Sequence, residues 1–167
     1  MILLRPITSA DAPAIRRIYS GAAVTFLGRP PMTGQEAEEY AARVQAWARA
    51  APVDQYVLGV DIGGDLMVGL VKLGRRSGRY GRVSYVLRDD CWGHGYATAA
   101  VRELADFAFT TARFRSLGAK HHPDNHASGR VLIKAGFTRL GTQQGMIEYC
   151  LKSREVARPG SGVAYGG

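Results

Sequence analysis

Apolar residues recur along this chain first at a helical spacing and then at a strand spacing, and the changeover outlines its elements. Ile2 to Arg5 predicts a short strand ending at Pro6. Thr8 or Ser9 then caps a helix to about Ser20, with Asp11 in its first turn, Pro13 near its start, and Ala14, Ile15, Ile18 and Tyr19 on one face. Gly28-Arg29-Pro30-Pro31 breaks the pattern, and Thr33 with Glu36 has capping-box spacing for a second helix carrying Ala37, Tyr40, Ala41, Val44 and Trp47. After Pro52 the period shortens. Strands over Gln55–Asp61 and Leu66–Leu73 flank the turn residues Gly63-Gly64-Asp65, and a second turn at 74–81 leads into Arg82–Leu87. A helix follows from about Gly95 to Ala112, lined by Ala97, Val101, Leu104, Ala105 and Ala108. Phe114–His121 predicts a strand, residues to Ala135 a short helix stopped by Gly136, and Phe137–Leu140 with Met146–Lys152 a closing hairpin. This order predicts a mixed α/β fold, a mostly antiparallel sheet with one strand–helix–strand unit in its second half.

Composition narrows the class without naming an activity. The 167 residues fit one domain, expected over 1–152, while the Gly-, Pro- and Ser-rich residues 153–167 are expected to be a disordered tail. With 46% hydrophobic and 22% charged residues the chain is ordinary globular material. No apolar run approaches the roughly 20 residues that span a bilayer, and the N-terminus lacks a signal-peptide pattern, so a cytoplasmic protein is expected. Two widely separated cysteines, Cys91 and Cys150, argue against a disulfide scaffold and a zinc site. The formal net charge of +8 suits anionic ligands, and Arg75, Arg76, Arg79 and Arg82 cluster, but the charge is otherwise scattered and nucleic-acid binding is not expected as the main function.

The most informative stretch runs from Val83 to Thr98. It reads as a strand, a loop with Gly93 and Gly95, and the start of an amphipathic helix. A helix start offers unpaired N–H groups and a positive dipole end, and glycines let backbone approach a ligand, which together can cradle a pyrophosphate. The same Gly-x-Gly could simply be a tight strand-to-helix turn. It is neither a Rossmann fingerprint nor a Walker loop. About thirty residues on stands His122-Pro123-Asp124-Asn125-His126-Ala127-Ser128-Gly129-Arg130-Val131-Leu132-Ile133-Lys134-Ala135-Gly136-Phe137.

With both stretches in this order, the chain resembles the GNAT superfamily of N-acetyltransferases, within it the branch of the ribosomal-protein alanine and serine N-acetyltransferases. The resemblance spans roughly Leu3 to Leu151. It implies a central, mostly antiparallel sheet of about seven strands flanked by about four helices. It also implies acetyl-CoA as cosubstrate, no metal, and direct transfer to a primary amine, either a protein N-terminal α-amine or a small molecule, with no membrane or nucleic-acid partner and with a homodimer left open. Carried across, Trp92, Gly93, His94, Gly95, Tyr96, Ala97 and Thr98 would bind the pyrophosphate, Val86, Leu87 and Arg88 the pantetheine arm and acetyl carbonyl, and Asn125 and Ser128 the cofactor arm. Many members have a tyrosine general acid where this chain has Leu132, so Ser128 and Tyr85 become the catalytic candidates.

Each candidate has a plainer reading beside it. Asn125 is a strong N-cap and Ser128 falls in the first turn, so both could simply organise a helix start. Tyr85 could merely pack, and Cys91 lacks an evident histidine partner for nucleophilic work. The histidines at 121, 122 and 126 lack the carboxylate or cysteine spacing of a metal site. Glu38, Glu39 and Glu148 are the candidate bases, each equally readable as a surface charge. Leu132 in place of tyrosine keeps open the alternative of a non-catalytic acyl-CoA-binding or regulatory domain. The acceptor is expected against residues 24–40 and the last hairpin, with Phe26 to Pro31 as an apolar lip or a plain linker.

Overall fold

The computed structural model describes residues 1–154, so nearly all of the expected tail lies outside the described residues. Ser153 itself is buried, and its amide donates to the Arg115 carbonyl. Among the described residues there are seven strands, four α-helices and three short 3₁₀ turns. The strands are β1 (Leu3–Pro6), β2 (Gln55–Asp61), β3 (Met67–Ser77), β4 (Tyr80–Leu87), β5 (Ser116–His121), β6 (Thr138–Gln143) and β7 (Met146–Lys152). The helices are α1 (Ala12–Ile18), α2 (Gly34–Arg49), α3 (Tyr96–Thr110) and α4 (His126–Lys134). None is long and apolar enough to cross a membrane.

One sheet holds all seven strands in the order β1-β2-β3-β4-β5-β7-β6, and every neighbouring pair is antiparallel except β4 with β5. Strand β3 is buried along most of its length because helices cover both faces of the sheet. On one face Val71, Leu73, Val83 and Leu87 pack beneath Val101 and Leu104 of α3 and Leu132 of α4. On the other, Leu70 and Val86 meet Ile15 and Ile18 of α1 and Ala37, Ala41 and Val44 of α2. Truncating one of the fully buried leucines to alanine costs roughly 2–5 kcal/mol in such cores.

Three departures from the sequence expectation bear on the site. The β3–β4 hairpin is longer than read, because its turn is confined to Gly78 and Arg79, with Gly78 at φ +52° and its carbonyl held by Arg75. The first helix starts as a 3₁₀ turn at Ser9–Asp11 and stops at Ile18. A further 3₁₀ segment, Gly21–Leu27, follows where no periodic pattern announced an element. It is latched to the turn that follows β4, where the Ala22 amide donates to Asp89 at 2.8 Å.

The functionally decisive feature is a parting of strands. β4 and β5 pair only at Tyr80–Arg82 against Ser116–Gly118. Beyond that point β4 continues along β3 as far as Leu87, and β5 along β7 as far as His121. The sheet therefore opens into a gap beside Tyr85 and Leu87.

Candidate active site

The gap exposes main-chain groups that a continuous sheet would have paired. The Arg88 amide donates to the Val68 carbonyl at 2.8 Å. Antiparallel pairs alternate, so Val86 and Ser84 also turn their main chain to β3, while Tyr85 and Leu87 turn theirs into the gap. The Leu87 carbonyl is taken by the Trp92 indole N–H at 3.0 Å. Its N–H is left facing the gap, a donor placed where a polarised carbonyl oxygen can be met.

Beyond Leu87 the chain makes a 3₁₀ turn at Asp89–Cys91 and reaches α3 through two glycines in the left-handed region, Gly93 at φ +82° and Gly95 at φ +77°. A Cβ at either would meet nothing within 4 Å, so the glycines are required by conformation rather than by crowding within the chain. The first hydrogen bond of α3 runs from Ala99 to the Gly95 carbonyl. The amides of Tyr96, Ala97 and Thr98 thus have no helical acceptor, and these three residues line a cavity of about 530 Å³.

That cavity gathers most of the residues singled out in the sequence. Tyr85, Val86, Leu87, Trp92, Gly93, Gly95, Tyr96, Ala97, Thr98, Asn125 and Ser128 all stand on its wall. Arg88 and His94 do not: the Arg88 guanidinium is held by Asp90 at 2.7 Å, and the His94 ring stacks on Tyr96. Across from the glycine loop, Asn125 caps α4 through its side-chain oxygen on the Ser128 amide, and Ser128 Oγ lies 2.6 Å from the Tyr85 hydroxyl. Burial, with the nearby Tyr149 adding to it against the hydrogen bond from Ser128, pushes the Tyr85 hydroxyl up to about 12. It stays protonated at any ordinary pH. Leu132 is fully buried in the core, so its side chain is not on the cavity wall at all.

The seating of α4 has a specific cause. Behind Ser128, Gly129 packs so closely on β5 and β7 that a Cβ would come within 2.9 Å of His121 Nε2 and 3.0 Å of the Tyr149 hydroxyl. His121 Nδ1 lies 2.7 Å from the His122 carbonyl, which can only accept, so Nδ1 donates there, and Nε2 pairs with the Tyr149 hydroxyl at 2.9 Å. His121 is thereby committed to a structural pair. Among the described residues, no group of three or more His, Cys, Asp or Glu side chains is arranged to hold a metal ion.

Several wall residues were not anticipated. Arg130 and Lys134, one turn apart on α4, bring two cations to the cavity, and Ala22 and Ala23 close it from the 3₁₀ segment, beside Phe26 and Leu27 of the expected apolar lip. The basic pair was visible at helical spacing, but which face of α4 it occupies depends on docking. The candidate bases fare differently. Glu148 is paired with Arg82, Glu39 accepts from Gln35, and neither they nor Glu38 line the cavity. Cys91 lines it as a free thiol, held in the protonated form by burial and the adjacent Asp90.

Set beside known proteins, residues 1–138 match the family profile described as Acetyltransferase (GNAT) domain. An uncharacterized N-acetyltransferase of Bacillus subtilis (strain 168), YoaA, is 26% identical over 148 residues, covering 84% of this chain and 81% of that protein. Among solved structures, Mycobacterium smegmatis RimJ in complex with CoA-disulfide superposes with a TM-score of 0.77 at 22% identity, covering 94% of this chain and 84% of that one. Spermidine N-acetyltransferase from Vibrio cholerae, solved with CoA and spermine, gives 0.75 at 15% identity, covering 90% and 95%. At these identities the two structures share the fold.

Proposed function

From the premise that the chain belongs to the GNAT acetyltransferases, we propose that it moves the acetyl group of acetyl-CoA directly onto a primary amine held in the gap between β4 and β5. The observation that carries this reading is the unpaired Leu87 amide standing in one cavity with the Tyr85–Ser128 hydroxyl pair and the free N-terminus of α3.

Acetyl-CoA supplies an activated thioester and a good leaving group. The chain's residues do the rest. The amides that open α3, together with Arg130 and Lys134, suit the phosphates, because unpaired N–H groups and cations converge there. Asn125 keeps its side-chain N–H₂ for the cofactor arm while its oxygen caps α4. The Leu87 N–H donates to the carbonyl oxygen as negative charge gathers on it.

Protons must travel from the attacking nitrogen to the departing sulfur. A hydroxyl near 12 does not by itself fully protonate a thiolate whose reference pKa is about 8.5. Paired hydroxyls can still pass a proton without ionising. Ser128 Oγ gives its proton to sulfur as it takes the proton of Tyr85, which in turn takes the proton lost by the amine. An α-amine, reference pKa about 7.7–8.0, arrives partly neutral and needs no dedicated carboxylate, whereas an alkylamine, at about 10.4, releases its extra proton to solvent before attack.

Isothermal calorimetry with acetyl-CoA tests the cavity, and release of free CoA thiol with an amine panel tests the transfer. Wild-type protein should bind acetyl-CoA, and Gly95→Trp, checked for retained fold, should lose that binding. A wild-type chain that binds no acetyl-CoA removes the transfer reading.

A further inference from the structure

On the opposite face of β4 lies a second hollow of about 300 Å³. It shares Leu27, Tyr85 and Val86 with the acetyl-CoA cavity, so the two meet at the gap. Its unusual component is Lys72. This lysine sits mid-strand in β3 between the fully buried Val71 and Leu73, beside Ser84 of β4, on the face that α1 and α2 cover. Its Nζ lies 5.2 Å from the ring centre of Tyr19 and 5.3 Å from that of Tyr40. Two guanidinium groups border the same rings, Arg29 at 5.6 Å from Tyr19 and Arg43 at 6.0 Å from Tyr40.

These cations are under-compensated. The hollow has no carboxylate in its wall, and the nearest neutralisation is Glu36, which binds Arg29 from outside. Among the described residues Lys72 has neither an ion pair nor a hydrogen bond, and its ammonium is met only by the faces of Tyr19 and Tyr40. The Tyr40 hydroxyl is buried beside Tyr19, and its ring forms part of the wall. Burial and the Arg29 charge hold the Lys72 ammonium down to about 8. Packing alone would be better served by a methionine, since a buried cation without a counter-ion is costly. Perturbed, unpaired charge lining a hollow next to reacting groups marks a ligand site.

We propose that this hollow seats an oxyanion of the acceptor, so that the substrate is a small amine carrying a carboxylate or phosphate a few bonds from its nitrogen. The anion meets Lys72 and Arg43, while the nitrogen is directed past Tyr85 into the gap. The position of the nitrogen rests on the acetyl-transfer reading; the anion site does not. A polyamine is disfavoured here, because its second ammonium would face three cations.

Four amines with the same two-carbon spacing test this: β-alanine, O-phosphoethanolamine, β-alaninamide and ethylenediamine. At low salt, kcat/KM for one of the two anionic amines should exceed that for the amide and the diamine at least tenfold, and which of the two leads identifies the anion. Lys72→Met should collapse the anionic-to-amide ratio to near one, and Arg43→Gln, at a more exposed position, should lower it severalfold should Lys72→Met fail to fold. Equal rates for anionic and neutral amines, a preference for the diamine, or a ratio unchanged in both variants overturns the inference. Calorimetry with the same amines, run without acetyl-CoA, separates the two readings. Anion-selective binding weakened in the Lys72 or Arg43 variant sustains the site even where acetyl transfer fails, and equal heats for β-alanine and β-alaninamide overturn it even where transfer succeeds.

Discussion

At the scale of single residues, the proposed transfer turns on one hydroxyl pair. Tyr85 is carried on the strand that borders the gap and Ser128 on the first turn of α4, and their 2.6 Å contact joins two elements far apart in sequence. If protons pass through both, either removal interrupts the same path. Tyr85→Phe and Ser128→Ala should each lower kcat by roughly 10²-fold, within the range for acid–base groups. The double variant should fall little further, because residues acting as a unit are not additive. Steady-state thiol release under saturating acetyl-CoA reads this directly. Independent, multiplying losses would break the relay, and full activity in both single variants would return the pair to helix-capping and packing roles. Asn125 and Ser128 could be picked out through the family resemblance, while their capping role is written in adjacent residues. Lys72 could not: a lysine alternating with Val71 and Leu73 reads as the solvent side of a strand, and only α1 and α2 packing over that face turn it inward.

At the scale of elements, the same contrast holds. The glycine loop and α3 were legible because a strand, two left-handed glycines and an amphipathic run follow one another locally. The Gly21–Leu27 segment was not, since its path is set by distant partners, the Ala22 amide on Asp89 and Arg17 beside Asp89 and Asp90. The parting of β4 from β5 was equally hidden, because it depends on where parallel pairing stops. Nor could the sequence tell that Leu132 lies wholly in the core rather than at the cavity, so its place in a family tyrosine position says little about this site. How α4 is seated is open to test. Gly129 lets the helix sit against the His121–Tyr149 pair, and an added methyl must push either the helix or that pair aside. Gly129→Ala should cost about 1–3 kcal/mol through overpacking. Since Ser128 moves with the helix, kcat should fall at least tenfold while acetyl-CoA binding changes less. Calorimetric and kinetic measurements on the folded variant report both, and an unaltered kcat would show that the helix position is not transmitted to Ser128.

At the scale of the whole molecule, stability and specificity compete for the same strand. A lysine whose pKa falls from 10.5 to about 8 on folding makes the native state pay for its charge. The depressed value means the wild-type chain is relatively most stable above 10.5, where Lys72 is neutral in both folded and unfolded states, and loses that advantage as pH falls through 8. At neutral pH the full penalty is about 3 kcal/mol, taking 1.36 kcal/mol per pH unit. The contacts with Tyr19 and Tyr40 are already part of the folded environment, and methionine forgoes them, so the net gain from Lys72→Met should be smaller, about 1–2 kcal/mol. For a chain of this size that corresponds to a rise of a few degrees in Tm. Thermal unfolding of both proteins from pH 7 to 11 should show the variant ahead at neutral pH, with the gap closing between 8 and 10.5. The variant that gains stability should be the one that loses anion selectivity, as expected where a fold retains a strained charge for a ligand rather than for itself. A variant less stable than wild type at pH 7 would mean that the aromatic cage outweighs the burial, and that Lys72 is held in β3 by its own contacts.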